Sequence, residues 1–133
     1  MKIVIIILLM GVLGRFAYNS INDNKDGKNI EIPTIISAKG VELYGNKDYV
    51  FVDVRTINEH VAKAIPNTPV IPIQELESRI DELKKYKDKK IVVYCRSGNR
   101  SRTGTDILLK HGYNAVNLAG GMKKWKGPVI SGE

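Results

Sequence analysis

The sequence predicts an α/β domain built on a parallel sheet flanked by helices. Two apolar runs, YVFVDV at residues 49–54 and KIVVYC at 90–95, are β-branched and aromatic, as expected of strands with both faces covered. Helical patterns alternate with such runs along the chain, which favours parallel strands joined by helical crossovers. With 133 residues, 43% hydrophobic and 26% charged, the chain is long enough for one core without a disulfide or a structural metal.

The elements follow in order from about Ile30. Residues 34–36 form a short strand, and Ser37 caps a helix over 38–44. After the strand at 49–54, Thr56 caps a short helix through His60 and Val61, with Glu59 completing a capping box. The stretch IPNTPVIPI, residues 65–73, is punctuated by proline and is at best a brief strand. Residues 74–86 carry Leu76, Ile80 and Leu83 at helical spacing and end in a lysine cluster. Beyond the strand at 90–95, a helix over 100–111 presents Ile107, Leu108 and Leu109 to one side and stops at Gly112. Residues 115–118 make a last short strand, and GGMKKW, 120–125, a turn and a closing helical segment in which Gly120, Gly121 and Trp125 have turn and packing roles.

Residues 1–20 are of another kind. Ile3 to Gly14 lacks a polar side chain, a length that suits either a signal peptide or, continued through Phe16, Ala17 and Tyr18 with Arg15 snorkelling, a short membrane anchor over residues 3–18. NSINDNKDGKN follows with almost nothing to bury, so residues 21–29 read as a polar linker and 30–133 as the folded domain. Lys2 favours an extracytoplasmic domain, in the periplasm or at the cell surface, although Arg15 and later lysines pull the other way.

The formal charge is +7, gathered at Lys84, Lys85, Lys87, Lys89 and Lys90 and again at Lys123, Lys124 and Lys126. These runs read as solvated faces, and the absence of a nucleic-acid motif or interleaved aromatics argues against a nucleic-acid partner. One cysteine excludes an internal disulfide and a Cys-rich zinc site. His60 and His111 lie at no familiar ligand spacing, so no metal and no cofactor is expected.

Chemistry concentrates at YCRSGNRS, residues 94–101. Cys95 stands where a buried strand ends and a helix begins, and ligands in open α/β sheets gather at such carboxyl ends. Residues 96–100 should curl with their amides pointing inward, Gly98 supplying the freedom the curl demands. The helix N-terminus and the charges of Arg96, Arg100 and Arg102 favour a thiolate, so Cys95 is predicted to have a depressed pKa. A free cysteine is ordinarily a small buried hydrophobe, but that role leaves three arginines unexplained, with no acid before Asp106. The substrate should present an anionic group to the loop and an electrophilic atom to sulfur.

Here the chain resembles a single-domain rhodanese across most of residues 32–130, through DVRTINEH (53–60), IPNTPVIPIQEL (65–76), IVVYCRSGNRS (91–101), LLKHGYNAVNLAGGMKKW (108–125) and KGPV (126–129). The resemblance implies a parallel sheet of about five strands with helices on both faces. It also implies that Cys95 takes a sulfane sulfur from a small anionic donor such as thiosulfate, becomes a persulfide, and passes the sulfur to cyanide or a thiol acceptor. Amides of Arg96, Ser97, Gly98, Asn99 and Arg100 would hold the persulfide or the donor's oxyanion end, and the Arg100 guanidinium would brace the curve or meet the anion. Asp53 and Arg55 form either a structural ion pair or, for Arg55, a substrate contact. Asp53 and Ser101 are supporting residues. One departure from the family pattern is Ala64, which stands where a histidine is usual.

Two other activities fit such a loop. Phosphatases and arsenate reductases of the same fold place arginine after five intervening residues, a position held here by Ser101, whereas Arg100 follows Cys95 after four. A tethered module that binds persulfide without turnover would use the same cysteine.

Overall fold

The computed structural model describes residues 31–132. The expectations about a signal or anchor and a linker fall outside those residues. Among the described residues, no helix is long and apolar enough to cross a membrane.

Four parallel strands form the sheet in the order β1-β5-β4-β2: β1 Thr34–Ile35, β2 Tyr49–Asp53, β4 Lys90–Tyr94 and β5 Asn114–Leu118. A separate antiparallel pair joins β3 Lys63–Ala64 to β6 Ile130–Ser131, which the sequence reading did not foresee. The expected sheet of about five strands is thus one short. Its fifth strand reduces to a single parallel bridge between Asp53 and Val70. The Asp53 amide donates to Pro69 O at 2.9 Å and the Ile71 amide to Asp53 O at 2.9 Å, but Pro69 has no N–H with which to extend the ladder backward, and the Ile73 amide turns to Val54 O at 3.0 Å.

Strand residues alternate between two cores. Val52, Ile91, Val93, Cys95 and Ala115 pack on one face with Leu76, Leu83 and Leu108; Phe51, Val92, Tyr94, Val116 and Leu118 pack on the other with Trp125. Helix α1, Ser37–Leu43, covers the second face, with Gly40 against Leu118 and Trp125; helix α4, Asn99–Lys110, covers the first, with Gly104 against Val93. Both faces are therefore roofed, and each fully buried aliphatic side chain stabilises the fold by about 1.5–3 kcal/mol.

Local signals were followed unevenly. The Thr56/Glu59 capping box opens α2, Ile57–Ala62, as expected. Ser37 does not cap α1: the helix begins at Ser37 itself behind an uncapped Ile36, and the hydroxyl donates to Lys124 O at 2.8 Å. The helix expected over 74–86 is divided into α3, Ile73–Leu76, and a 3-10 helix, Ile80–Tyr86. Ile80, Leu83 and Tyr86 are all turned toward the core, a spacing of three that matches three residues per turn. Helix α4 ends in paired bonds from Gly112 N to Leu109 O and from Tyr113 N to Leu108 O, so its closing glycine is where the sequence put it. The closing helix α5 is a single turn, Gly121–Lys124.

Candidate active site

Period-two alternation in β4 puts Cys95, one residue beyond the strand, on the same face as Ile91 and Val93 and under the start of α4. The side chain is almost wholly enclosed, at 1% exposure. The chain reverses through Arg96 and Ser97 to Gly98, which precedes α4 at φ 106°, a conformation that disfavours any side chain. The Gly98 amide donates to Cys95 Sγ at 3.1 Å, and Ser101 Oγ lies 3.3 Å from the sulfur.

A second support comes from the turn before α5. Met122 N donates to Cys95 O at 2.9 Å and Lys123 N to Arg96 O at 3.0 Å. Gly121, at φ 49°, lies so close that a Cβ there would collide with the Cys95 and Arg96 carbonyls. The loop thus rests on backbone, which explains the paired glycines better than turn formation alone.

Burial pushes the Cys95 thiol up, but hydrogen bonds from the Ser101 hydroxyl and from the amides of Ser101, Gly98 and Ser97 outweigh it. The net shift is downward from the ordinary value of 9.0, toward the thiolate. Hydroxyl and amide donors carry that shift, where the sequence pointed first to the arginines. Arg100 does feel the sulfur's charge, yet its guanidinium is held by Glu59 through Nη1–Oε1 at 2.7 Å and Nη2–Oε2 at 2.8 Å. Arg96 and Arg102 are exposed. Ser97 and Asn99 are also exposed, whereas Gly98 and Ser101 are buried.

Asp53 and Arg55 form a connected but different cluster. Asp53 is fully buried, and its carboxylate accepts from Arg55 Nη2 at 2.8 Å and Arg55 Nε at 3.0 Å; His60 Nδ1 lies 2.8 Å from it. Arg55 is 5% exposed and also donates to Lys63 O at 2.7 Å and Glu59 O at 3.4 Å. Its donors point at protein acceptors, which is the ion-pair arrangement. Burial lowers the Arg55 pKa, but the Asp53 hydrogen bonds together with the charges of Asp53, Tyr94 and Glu59 outweigh it, and the net shift is upward.

Three residues of this architecture had no role at the site in the sequence reading. Glu59 was seen only as a cap, yet its Oε1 accepts from Thr56 N at 3.3 Å and from Arg100 at once. His60, read from the sequence only as part of a short helix, lies in the last turn of α2 and is half-buried against Asp53. Asn117 is buried in β5 and accepts from Ser101 Oγ at 2.6 Å through Oδ1, while its Nδ2 donates to Gly98 O at 3.4 Å. An asparagine inside the apolar run AVNL was the available signal, since a buried amide needs partners.

Among the described residues, no cluster of histidine, cysteine and acidic side chains has the arrangement of a metal site. A cavity of about 300 Å³ lies elsewhere, lined by Tyr44, Lys47, Phe51, Pro66 and Asn67 among others, and contains no residue of the Cys95 loop. What the loop can do chemically is hold a sulfur anion over inward-facing donors.

Residues 39–128 match the family model described as a rhodanese-like domain. A sulfurtransferase of Allochromatium vinosum is 37% identical over 84 residues, covering 62% of this chain and 77% of its own. A thiosulfate sulfurtransferase of Escherichia coli is 30% identical over 82 residues, covering 62% and 79%. The crystal structure of a rhodanese-related protein from Thermoplasma volcanium superposes with a TM-score of 0.65 at 36% identity, covering 74% of this chain and 97% of the other.

Proposed function

Because the chain belongs to the rhodanese-like domain family, with relatives named as sulfurtransferases, we propose that it moves a sulfane sulfur through a persulfide on Cys95, with thiosulfate as donor and cyanide or a thiol as acceptor. The observation that carries this reading is the enclosed Sγ, bonded by the Gly98 amide at 3.1 Å, with Arg100 locked on Glu59. In the first step the Cys95 thiolate attacks the outer sulfur of thiosulfate. A new S–S bond forms, the donor's S–S bond breaks, and sulfite leaves with the electron pair. In the second, cyanide attacks the outer persulfide sulfur and departs as thiocyanate, returning the thiolate. Charge balances in both steps without a proton or an external oxidant.

In this scheme the amides of Ser97 to Arg100 hold the outer sulfur, and Arg96 and Arg102 attract the anionic donor from the rim. Arg100 braces the loop, while Asp53, Arg55 and His60 stiffen the helix that presents Glu59. A phosphatase is disfavoured because Arg100 is engaged by a carboxylate and the loop is one residue short of five intervening positions. We also propose, on the sequence argument alone, that the N-terminal segment places the domain outside the cytoplasm, which cell fractionation with sequencing of the mature start tests.

The full chain is incubated with thiosulfate and weighed by mass spectrometry before and after cyanide. One added sulfur on Cys95, released as thiocyanate and missing in Cys95→Ser, is the expected result. Hydrolysis of a phosphate ester that Cys95→Ser abolishes, with no sulfur adduct, would overturn it.

A further inference from the structure

We propose that Asn117 is a positioning residue that decides which partner receives the single hydroxyl proton of Ser101, and thereby the balance between thiol and thiolate at Cys95. The role it would play in turnover rests on the persulfide chemistry above, but the geometry does not. Ser101 Oγ lies 3.3 Å from Cys95 Sγ and 2.6 Å from Asn117 Oδ1, and all three residues are at most 5% exposed. A hydroxyl has one hydrogen and cannot serve two acceptors. The Gly98 carbonyl, which can only accept, faces Asn117 Nδ2, so Oδ1 is the atom turned to Ser101. Asn117 pairs in register with Val93, two residues before Cys95, and so sits on a rigid central strand.

The two states of the sulfur make different demands on that hydrogen. As a thiol, Cys95 donates to Ser101 Oγ and Ser101 donates to Asn117, so every group is satisfied. As a thiolate, the sulfur accepts from the Gly98 amide and attracts the hydroxyl as a further donor; the hydroxyl rotates toward it and the buried Oδ1 loses its Ser101 partner. The Cys95 thiol proton is released to solvent; Ser101 Oγ keeps its own proton and only its O–H direction changes. Asn117 therefore opposes the resting thiolate and keeps it more basic, which makes it a stronger attacking sulfur. When the negative charge moves to the outer sulfur of a persulfide, the hydroxyl returns to Asn117.

The test is the pH profile of iodoacetamide alkylation of the full chain, whose single cysteine makes the site unambiguous. Asn117→Leu removes the acceptor at similar volume. Its inflection is expected to fall by about one unit and its high-pH plateau by about threefold, because a less basic thiolate is a weaker nucleophile. Ser101→Ala raises the inflection, and adding Asn117→Leu to Ser101→Ala moves it no further. The charged groups of the surrounding elements, Arg96 and Arg100 of the loop and α4, Asp53 at the end of β2 and Arg55 beyond it, Glu59 and His60 of α2 and Lys123 of α5, are unaltered in all three variants. Near-ultraviolet circular dichroism checks the fold, and Asn117→Ala substitutes if the leucine variant does not fold. An unmoved inflection, or an equal fall in the Ser101→Ala background, overturns the proposal. Sulfur loading is measured separately: a wild type that loads sulfur while Asn117 variants keep its inflection sinks only this inference, and one that fails to load sinks only the sulfur reading.

Discussion

At the scale of single residues, Glu59 joins a local role to a distant one. Hydrogen bonds from Arg100 hold its carboxyl at about 2, far below the ordinary 4.5, against a smaller opposing effect of burial. A depressed acid stabilises the fold fully above its unfolded value, and that contribution is lost as pH falls from 4.5 toward 2. The pair is partly exposed, so solvent weakens it. Thermal unfolding should place wild type above Glu59→Gln near neutral pH, and the gap should close across that acid window. A gap independent of pH would mean that the ion pair contributes nothing. Cys95 and Gly98 were legible in the sequence because a cysteine and a glycine at a strand end declare themselves by type. Glu59 as the partner of Arg100 was not, since 41 residues separate them and its cap already explained it.

At the scale of elements, patterns read correctly where one local rule governed. The capping box of α2 and the glycine end of α4 needed only neighbours in sequence. The split between α3 and the 3-10 helix depended on a period of three rather than 3.6, visible only once Tyr86 joins Ile80 and Leu83 on the core side. The missing fifth strand turned on Pro69, whose lost donor left one bridge. On the opposite face, Trp125 stands edge-on to Phe51 at 5.7 Å and to Tyr44 at 6.2 Å and donates to Pro128 O at 2.8 Å. Trp125→Ala should cost about 3–5 kcal/mol in denaturant unfolding, through cavity and lost ring contacts. A loss below about 1 kcal/mol would show that α1 and the chain after α5 do not close this core.

For the whole molecule, charge acts beyond contacts. A net charge of +7 with Arg96 and Arg102 exposed at the site should draw anionic donors and repel none of them. With thiosulfate, kcat/KM should fall as ionic strength rises from about 0.01 M, where charges are felt across about 30 Å, to about 0.15 M. Alkylation by neutral iodoacetamide should change little over that range, and equal salt effects on both would remove steering as the cause. The order β1-β5-β4-β2 sets Cys95 at the end of an interior strand; alternation of apolar runs suggested a parallel sheet but did not fix that strand order.

The shared carboxylate of Glu59 has one more consequence. Because Thr56 Oγ1 accepts from Glu59 N at 3.1 Å while the Glu59 side chain grips Arg100, breathing of the first turn of α2 and movement of the Cys95 loop are coupled. Deuterium uptake at the amides of Thr56 and Glu59 then reports on the loop from a distance. Filling the loop with a donor anion should slow that uptake, and Arg100→Lys should quicken it, giving a label-free readout of occupancy that needs no turnover.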